Sequence, residues 1–422
     1  MNILYIDHYV GSPDYGMEFR PYHMALEWIK KGHRVQILGA AYSHVRARQP
    51  EVDGRPIGRR TAENIDGIEY VWYPTPVYQG NGLGRVLNIF AFLARVFLDA
   101  GRLVRAFRPD AVIASSTYPM DIWVARYIAR KTSARLIYEI HDLWPLSPIE
   151  LGGMSPKHPF IRLCQKAEDD AYRDVDAVVS ILPNVQQHVA EHGLDLRKLF
   201  AVPNGVVMED WREDKQQPLG DAGITTCIGQ LKAEGKLVVG YAGAHGVPNA
   251  LSVLLQAAKL LERERVAFVL VGNGLEKENL LQQSEMLRLD SVHFFDPVPK
   301  PQIPALLSWF DVAYIGLQDQ ALFRFGISPN KLADYMMSGK VVLFACNAAN
   351  DWVTESGCGT AVQAEDPEAI ADGIRQLQQL TPAERAEMGK RGKEFIMNNF
   401  TYERLAERFL EVMNPEVRER RT

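Results

Sequence analysis

The sequence has few cysteines, lacks long apolar runs and carries no excess of positive charge. Four cysteines occur among 422 residues, and no two of them form a C-x-x-C pair, which argues against a disulfide framework or a cysteine-based metal site. No apolar run reaches about 18 residues, the length that crosses a bilayer. The first residues also lack the basic flank and cleavage site of a signal peptide. A formal net charge of −5 disfavours nucleic acid as a partner. These absences predict a cytoplasmic protein without a membrane-spanning helix.

What the sequence does contain is typical of a large α/β protein. Hydrophobic residues make up 47% and charged residues 23% of the chain, and 422 residues are too many for one ordinary core. Apolar strands alternate with amphipathic helices in two consecutive series, which predicts two Rossmann-like domains facing each other across a cleft. We place the N-terminal domain at residues 1–207, a polar linker at 208–235 and the C-terminal domain at 236–398.

Two loops of the first half are candidates for ligand binding, because open α/β sheets bind ligands at the carboxyl ends of their strands. The loop after the first strand contains Gly11, Gly16 and Arg20, and its glycines allow either close approach of a substrate or only a turn. The G-x-G-x-x-G spacing of a dinucleotide site is absent. Residues 41–66 have no clear period and predict a long loop. Its arginines are Arg46, Arg48, Arg55, Arg59 and Arg60.

A histidine and an aspartate, His141 and Asp142, directly follow another predicted strand. A polar pair at the carboxyl edge of a sheet favours a role in chemistry over that of a structural histidine.

Residues 84–108 predict a basic amphipathic helix. Its apolar residues recur at helical spacing. Its main charges are Arg85, Arg95, Arg102, Arg105 and Arg108. Such a helix can lie on an anionic membrane surface, or it can pack its apolar face on the sheet and leave the arginines in water. The sequence leaves both interpretations open.

The stretch Phe325–Val342 combines a helix start with charges that suit an anion. Ser328 is predicted to cap a helix whose first turn contains Pro329. Lys331 lies in that first turn, where its charge opposes the helix dipole but suits a phosphate bound by the free helix amides. Asp334 follows three residues later, on the same side of the helix. The pair predicts a diphosphate and ribose site, and the alternative is a surface lysine near an aspartate.

In combination, the motifs of the chain resemble those of glycosyltransferase family 4, the large retaining family with the GT-B fold. The resemblance covers almost the whole chain and is greatest to bacterial enzymes of O-antigen, capsule and exopolysaccharide assembly, including fucosamine transferases. In this fold the last helix, here residues 401–414, crosses back to the N-terminal domain. The motifs occur in the family's order: the Gly11–Arg20 loop, His141–Pro145, Val202–Val206, Gly240–Gly243, Val271–Gly274, Asp296–Lys300 and Ser328–Lys340.

The resemblance implies transfer of a sugar from a nucleoside-diphosphate sugar, expected to be UDP-linked, to a hydroxyl of a glycan or polyprenyl-diphosphate-linked acceptor. The configuration would be retained, without a cofactor or metal. Catalytic roles fall to His141, which Asp142 would orient, and to Lys331. The acceptor is expected at the Gly11–Arg20 loop and the arginines of residues 41–66. The implied donor-binding residues are Gly243, His245, Pro297, Val298, Arg324, Ser328, Pro329, Asn330 and Asp334.

The sequence departs from the family pattern at two places. The family has two glutamates eight residues apart; Asp334 fills the second position, but Gly326 fills the first. The family's arginine and lysine after the first strand of the second domain are also missing, and Gly243–Asn249 stands there. Neutralisation of the diphosphate is therefore expected from Lys331 and the helix amides, with His245 or Arg324 as helpers.

One motif and two alternative functions have to be weighed against this interpretation. Asp174 and Asp176 form the Asp-x-Asp metal signature of another glycosyltransferase architecture, but their place at a helix end predicts a structural role. A nucleotide-sugar epimerase can share the two-domain fold, and the departures also permit a non-catalytic binding homologue. The expected location is the cytoplasm, with the inner face of the membrane as a possible docking surface through residues 84–108.

Overall fold

The computed structural model describes residues 1–16, 19–80 and 82–414. Met17 and Glu18 of the predicted Gly11–Arg20 loop lie outside the described residues. The chain divides into two compact units: the first contains Met1–Asn204 and the C-terminal helix, and the second contains Gly205–Thr401. Both units are Rossmann-like α/β structures.

The first unit is built on an eight-stranded sheet and a small two-stranded ladder. Its strands are β1 (Asn2–Ile6), β2 (Arg34–Ala40), β3 (Glu51–Val52), β4 (Arg55–Pro56), β5 (Thr61–Ile65), β6 (Ile68–Tyr73), β7 (Ala111–Ala114), β8 (Arg135–Ile140), β9 (Ala177–Ser180) and β10 (Leu199–Ala201). Its first helices are α1 (Arg20–Lys30), α2 (Leu83–Arg102), α3 (Ile122–Thr132), α4 (Leu146–Glu150), α5 (Pro159–Asp174) and α6 (Gln186–Glu191).

The main sheet has the order β10-β9-β8-β7-β1-β2-β6-β5. All its neighbouring strands are parallel except β5 and β6, which are antiparallel. The central strands are apolar along their length because both faces of a parallel sheet are covered; in β1, Ile3 to Ile6 are fully buried.

Residues 41–66 are more ordered than the predicted long loop. Strands β3 and β4 pair as a short antiparallel ladder, and β5 extends the edge of the main sheet by pairing with β6. The prediction of a long loop is therefore wrong for this segment. The backbone groups that a loop would expose to water are instead paired in ladders.

The second unit has a six-stranded, fully parallel sheet. Its strands are β11 (Leu237–Ala242), β12 (Val266–Val271), β13 (Val292–Phe295), β14 (Val312–Gly316), β15 (Val341–Ala345) and β16 (Gly359–Val362), in the order β13-β12-β11-β14-β15-β16. Its helices are α7 (Ala222–Ala233), α8 (Leu251–Leu260), α9 (Lys277–Leu287), α10 (Ile303–Trp309), α11 (Asn330–Met337), α12 (Trp352–Ser356), α13 (Pro367–Gln379) and α14 (Pro382–Asn399).

The predicted linker at residues 208–235 is wrong over its second half. There α7 forms a helix of the second unit, and its residues Ile224, Ile228 and Leu231 are buried in the core of that unit. These three residues stand at i, i+4 and i+7, the spacing of one helix face. The polar residues around them concealed this pattern.

The C-terminal helix α15 (Tyr402–Met413) belongs to the first unit, as the resemblance implied. Trp28 of α1 donates a hydrogen bond from Nε1 to the carbonyl of Ala406 at 3.2 Å. Its ring also contacts Phe409 with centroids 5.2 Å apart. The apolar face of α15 is thus buried against α1, which fixes the end of the described chain to the N-terminal unit.

Candidate functional site

In the second unit, the order of strands reverses direction between β11 and β14. Successive strands follow one another outward from β11 to β13 on one side and from β14 to β16 on the other. Open α/β sheets bind ligands beside such a switch point, at the carboxyl ends of the strands. The loop Gly243–Asn249 follows β11 at this position, which places the predicted donor-binding segment at the expected edge.

The ammonium of Lys331 lies at this switch point. Its Nζ donates hydrogen bonds to Tyr241 Oη at 2.6 Å and to Asn249 Oδ1 at 3.1 Å. It also lies 4.2 Å from the centroid of the Tyr241 ring. These partners are neutral, and burial lowers the pKa of Lys331 to about 8. A desolvated cation with neutral neighbours suits an incoming anion.

Gly243 provides the space for this ammonium. A Cβ atom at Gly243 would lie 2.6 Å from Lys331 Cε and 2.8 Å from Nζ. A side chain there would displace the lysine. The motifs suggested Gly243 as a donor-binding residue, whereas its described contact shows that it makes room for Lys331.

The helix that carries Lys331 begins differently from the prediction. α11 starts at Asn330, and Pro329 stands at the N-cap position with φ −77° and ψ 120°. The prediction that Ser328 caps the helix is therefore wrong. A residue before proline is disfavoured from helical conformation, and the proline ring has no oxygen to accept from the first amides. The helix start thus lacks the side-chain cap that would compete with an anion.

His245 does not supply the expected positive charge. Its side chain is fully buried, and burial together with Lys277 and Lys331 lowers its pKa to about 4. It is therefore neutral near pH 7, which corrects its predicted role in charge neutralisation. Neither ring nitrogen has a hydrogen-bond partner among the described residues. The ring can offer one neutral donor and one acceptor.

Asp334 and Lys331 have different neighbours although they share one helix. Burial raises the pKa of Asp334 to about 7, an effect that Lys300 opposes and Asp210 increases. Lys300 and Asp210 form an ion pair at 2.7 Å. The Lys331 ammonium therefore contacts the loop after β11, whereas the Asp334 carboxyl group lies near the segment after β13.

Three further predicted donor residues lie in the segments after β13 and before α11. Pro297 and Val298 follow β13, and Val298 packs against the core of the unit. The exposed Arg324 donates to the carbonyl of Ala321 at 2.6 Å, and its guanidinium lies 4.4 Å from the centroid of the Phe325 ring.

The missing first glutamate has a backbone explanation. Gly326 has φ 87° and ψ 174°, a region of backbone conformation that is almost restricted to glycine. A glutamate at this position would be strained. The glycine that replaces the family's glutamate therefore stands at a backbone position that favours glycine.

In the first unit, the order of strands reverses between β1 and β7. Ser115 follows β7, and His141 follows the adjacent β8. His141 Nε2 lies 3.0 Å from Glu139 Oε2 and 3.0 Å from Ser115 Oγ. The tertiary structure thus brings the predicted catalytic histidine into a hydrogen-bonded cluster at the carboxyl edge.

Glu139 is the centre of this cluster. Tyr5 and Ser115 donate hydrogen bonds to its carboxylate, and Arg20 donates from Nε at 3.0 Å. Burial alone would raise the pKa of Glu139, but Arg20, His141 and the hydrogen bonds lower it well below its usual range. An ionised Glu139 accepts from His141 Nε2–H. In the neutral ring the lone pair is then on Nδ1.

Two predictions about this region need correction. Asp142 does not orient His141; its carboxylate accepts from the amide of Leu143 at 2.9 Å and from Ser147 Oγ, and so stabilises the turn that leads into α4. Arg20 is 5% exposed, and besides Glu139 it donates to the carbonyls of Val202 and Pro203. Its guanidinium is committed to the fold and is not presented to an acceptor.

The glycines of the first loop form a turn. The amide of Gly16 donates to the carbonyl of Ser12 at 2.8 Å, and Gly11 accepts from Tyr70 Oη at 3.0 Å. A Cβ atom at Gly16 would lie 3.1 Å from the amide of Ala47. These contacts support the turn interpretation that the sequence left open.

The arginines of residues 41–66 divide into two groups. Arg46 is buried over the ring of Trp72, at 4.9 Å from the centroid, and Arg60 pairs with Asp99 at 2.6 Å. Both are fold contacts. The exposed members are Arg48, Arg55 and Arg59.

Sequence reasoning missed Glu139, Ser115, Tyr241 and Asn249. A glutamate within a strand of otherwise apolar residues was the available signal for Glu139, because buried charges require partners. Tyr241 and Asn249 gave no such signal, since they become partners of Lys331 only in the folded unit.

The described residues contain one cluster of potential metal ligands, in the first unit. Glu168, His188 and His192 bring ligand atoms within 4.8 Å of one another, and Glu168 accepts one hydrogen bond from His188 at 2.9 Å. Asp174 pairs with Arg126 and Arg173. These contacts account for the positions of the side chains.

The helix α2 exposes a second apolar stripe. Its inward residues are Ile89, Phe92, Val96 and Ala100. On the opposite side, Leu83 and Leu98 are 82% and 83% exposed. The exposed stripe comprises Leu83, Leu87, Phe90, Phe97 and Leu98. Among the described helices, none combines the length and the hydropathy needed to cross a membrane.

The fold is that of a GT-B glycosyltransferase. Residues 15–205 match the Glycosyl transferase 4-like domain, and residues 236–379 match Glycosyl transferases group 1. The chain therefore belongs to the glycosyltransferases that combine these two domains. This confirms the resemblance and the fold class predicted from its motifs.

Relatives support the same assignment. The chain is 25% identical to the colanic acid biosynthesis glycosyl transferase WcaI of Escherichia coli (strain K12), over 83% of this chain and 86% of the relative. It is 21% identical to the glycosyltransferase WbjE of Pseudomonas aeruginosa, over 79% and 80%. The structure is similar to that of Anabaena HepE in complex with UDP and glucose, with a TM-score of 0.64, 16% identity and coverage of 98% and 99%. It is also similar to a glycosyltransferase from Rickettsia africae, with a TM-score of 0.67, 15% identity and coverage of 98% and 97%.

Proposed function

We propose that this protein transfers a sugar from a nucleoside-diphosphate sugar, UDP-linked, to a hydroxyl of a lipid-linked glycan, with retention of configuration, during bacterial surface polysaccharide synthesis. The family assignment supplies the reaction class. The name of WcaI supports a role in polysaccharide synthesis, and the complex of HepE with UDP and glucose supports a UDP-linked donor.

The observation that carries the proposal is the buried ammonium of Lys331 at the switch point of the second sheet. During transfer, the bond between the anomeric carbon and the diphosphate breaks, and its electron pair leaves with the diphosphate. Preorganised donors aimed at that charge are the main source of catalysis in such a step. The Lys331 ammonium and the first amides of α11 provide these donors, and His245 contributes a neutral hydrogen bond. Asp334 is assigned to the ribose hydroxyls.

In the first unit, we assign His141 to the reaction centre. Glu139 and Ser115 orient the ring through Nε2, and the ring would hydrogen-bond a substrate hydroxyl at the reaction centre. No metal or cofactor is included in this proposal.

The donor assignment can be tested with Lys331→Ala. Loss of one preorganised contact to the developing charge should reduce turnover by about a hundredfold, or roughly 3 kcal/mol. The measurement is UDP release on addition of a lipid-linked acceptor. A matched control is Lys236→Ala, a half-buried lysine outside the site. Near-normal turnover of Lys331→Ala would contradict the assignment.

Two further measurements define the reaction. A thermal-shift screen of nucleotide sugars should show stabilisation by the true donor, because a ligand that binds only the folded state stabilises it by mass action. Nuclear magnetic resonance of the product then reports the anomeric configuration. An altered free sugar nucleotide formed without acceptor would identify an epimerase instead.

The exposed stripe of α2 supports peripheral membrane docking. Apolar side chains would enter the interface while Arg95, Arg102 and Arg105 contact anionic headgroups. Replacing these three arginines by Glu should release the protein from vesicles that contain phosphatidylglycerol, measured by co-sedimentation. Unchanged co-sedimentation would remove the membrane from the proposal.

A further inference from the structure

The first unit contains a cavity of about 760 Å³ beside the segment that follows His141. One wall is the start of α2, and the other is the segment from Asp142 to Phe160. This volume is within the range of sites that hold small organic ligands. None of the predicted acceptor positions except Asp142 lines it.

The walls of the cavity are mainly hydrocarbon. The apolar lining residues include Val86, Ile89, Trp144, Leu151, Met154 and Phe160. A carbohydrate requires many hydrogen-bonding partners, whereas these walls offer few. The lining favours an apolar ligand, because removal of apolar surface from water is favourable.

One cation is built into the same cavity. Arg85 donates from Nε to Tyr9 Oη at 3.1 Å, and its guanidinium lies 5.4 Å from the centroid of the Tyr9 ring and 5.6 Å from that of Trp144. The two rings orient the planar group. Guanidinium suits diphosphate because its parallel N–H groups can bind two oxygens.

The cavity is continuous with the exposed apolar stripe of α2. Leu83 lines the cavity and is also the first member of that stripe. Leu151, on the opposite wall, is 58% exposed. An apolar chain longer than the cavity therefore has a continuous apolar path along the helix surface.

We propose that this cavity binds the first isoprene units of a polyprenyl-diphosphate-linked acceptor, with Arg85 on the diphosphate. This inference rests on the proposed transfer to a lipid-linked acceptor and adds the site that recognises the lipid. Asp142, the residue after His141, lines the cavity, so the bound lipid would lie beside the segment that follows His141. The apolar walls and the single oriented cation correspond to the two chemically different parts of such a ligand.

The test is direct binding of farnesyl diphosphate to the full chain without membranes, measured by quenching of tryptophan fluorescence and by calorimetry. Inorganic pyrophosphate lacks the apolar chain and farnesol lacks the diphosphate. Each should bind at least tenfold more weakly than farnesyl diphosphate. UDP should not compete. Leu151→Asp and Arg85→Gln should each weaken farnesyl diphosphate binding at least tenfold.

Matched controls are Leu196→Asp and Arg130→Gln, exposed residues of the same unit that do not line the cavity. Both should leave farnesyl diphosphate binding unchanged. Absence of binding to the wild type, competition by UDP, or equal effects of control and cavity variants would overturn the inference. A retained thermal shift with the donor sugar nucleotide would show that only the lipid site had failed. Loss of that shift would instead count against the proposed function.

Discussion

The charged clusters of the two units differ in how their charges are compensated. In the first unit, Glu139 and Arg20 form a buried ion pair, and further hydrogen bonds satisfy the carboxylate. In the second unit, Lys331 has neutral hydrogen-bond partners, and burial lowers its pKa to about 8. The first cluster stabilises a geometry, whereas the second holds an under-compensated charge that a bound diphosphate would satisfy. If the proposed function is right, charge compensation separates the residues that position the site from those that contact the ligand.

The largest expected effect that follows from this comparison is loss of stability in Glu139→Ala. Removing one partner of a buried ion pair leaves the other charge uncompensated and costs about 3–5 kcal/mol. The free energy of unfolding should fall by this amount, measured by denaturant titration. Lys331→Met is the contrasting variant, and it should keep or increase stability because it removes a desolvated charge.

Equal losses in the free energy of unfolding for Glu139→Ala and Lys331→Met would contradict this comparison. A double variant, Arg20→Met with Glu139→Met, should recover part of the loss, since replacing both charges leaves none unpaired.

The next effect concerns Gly326→Glu, which restores the family's first glutamate. Because Gly326 lies in a backbone region that other residues avoid, the substitution should cost about 1–3 kcal/mol of stability. Gly326→Ala introduces no charge and serves as the control. It should reduce the free energy of unfolding by a similar amount. A stable Gly326→Glu variant with increased donor affinity would show that the backbone can adapt.

The smallest expected effect is a pH dependence of donor affinity. Lys331 has a pKa of about 8 in the free protein, so its positive charge is present below pH 8 and is lost as pH rises. Affinity for UDP-glucose should therefore decrease by up to about tenfold for each pH unit above 8. Asp334, with a pKa of about 7, is largely ionised above pH 8, and His245, with a pKa of about 4, stays neutral across the interval.

Calorimetry between pH 7.5 and 9.5 checks this expectation. Lys331→Met should bind weakly with no pH dependence in that interval. A wild-type affinity that stays constant to pH 9.5 would mean that Lys331 keeps its proton or does not contact the diphosphate.

The sequence by itself determined the alternation of strands and helices, because buried parallel strands are continuous apolar runs and their helices are amphipathic. It also indicated His141, because a polar residue directly after such a strand stands out, and Lys331, because a cation in the first turn of a helix opposes the helix dipole. The order of motifs was enough to predict the family and the fold. The same patterns failed at residues 208–235, where polar residues concealed the apolar face of α7.

Only the tertiary structure decided which charged residues compensate one another. Glu139 and Arg20 are 119 residues apart, and Lys331 meets Tyr241 and Asn249 across 90 and 82 residues. Such pairs depend on strand order, which local patterns do not encode. The predicted roles of Arg20, Asp142 and His245 failed for this reason: charge and hydrogen bonding at a site depend on burial and on partners from distant segments.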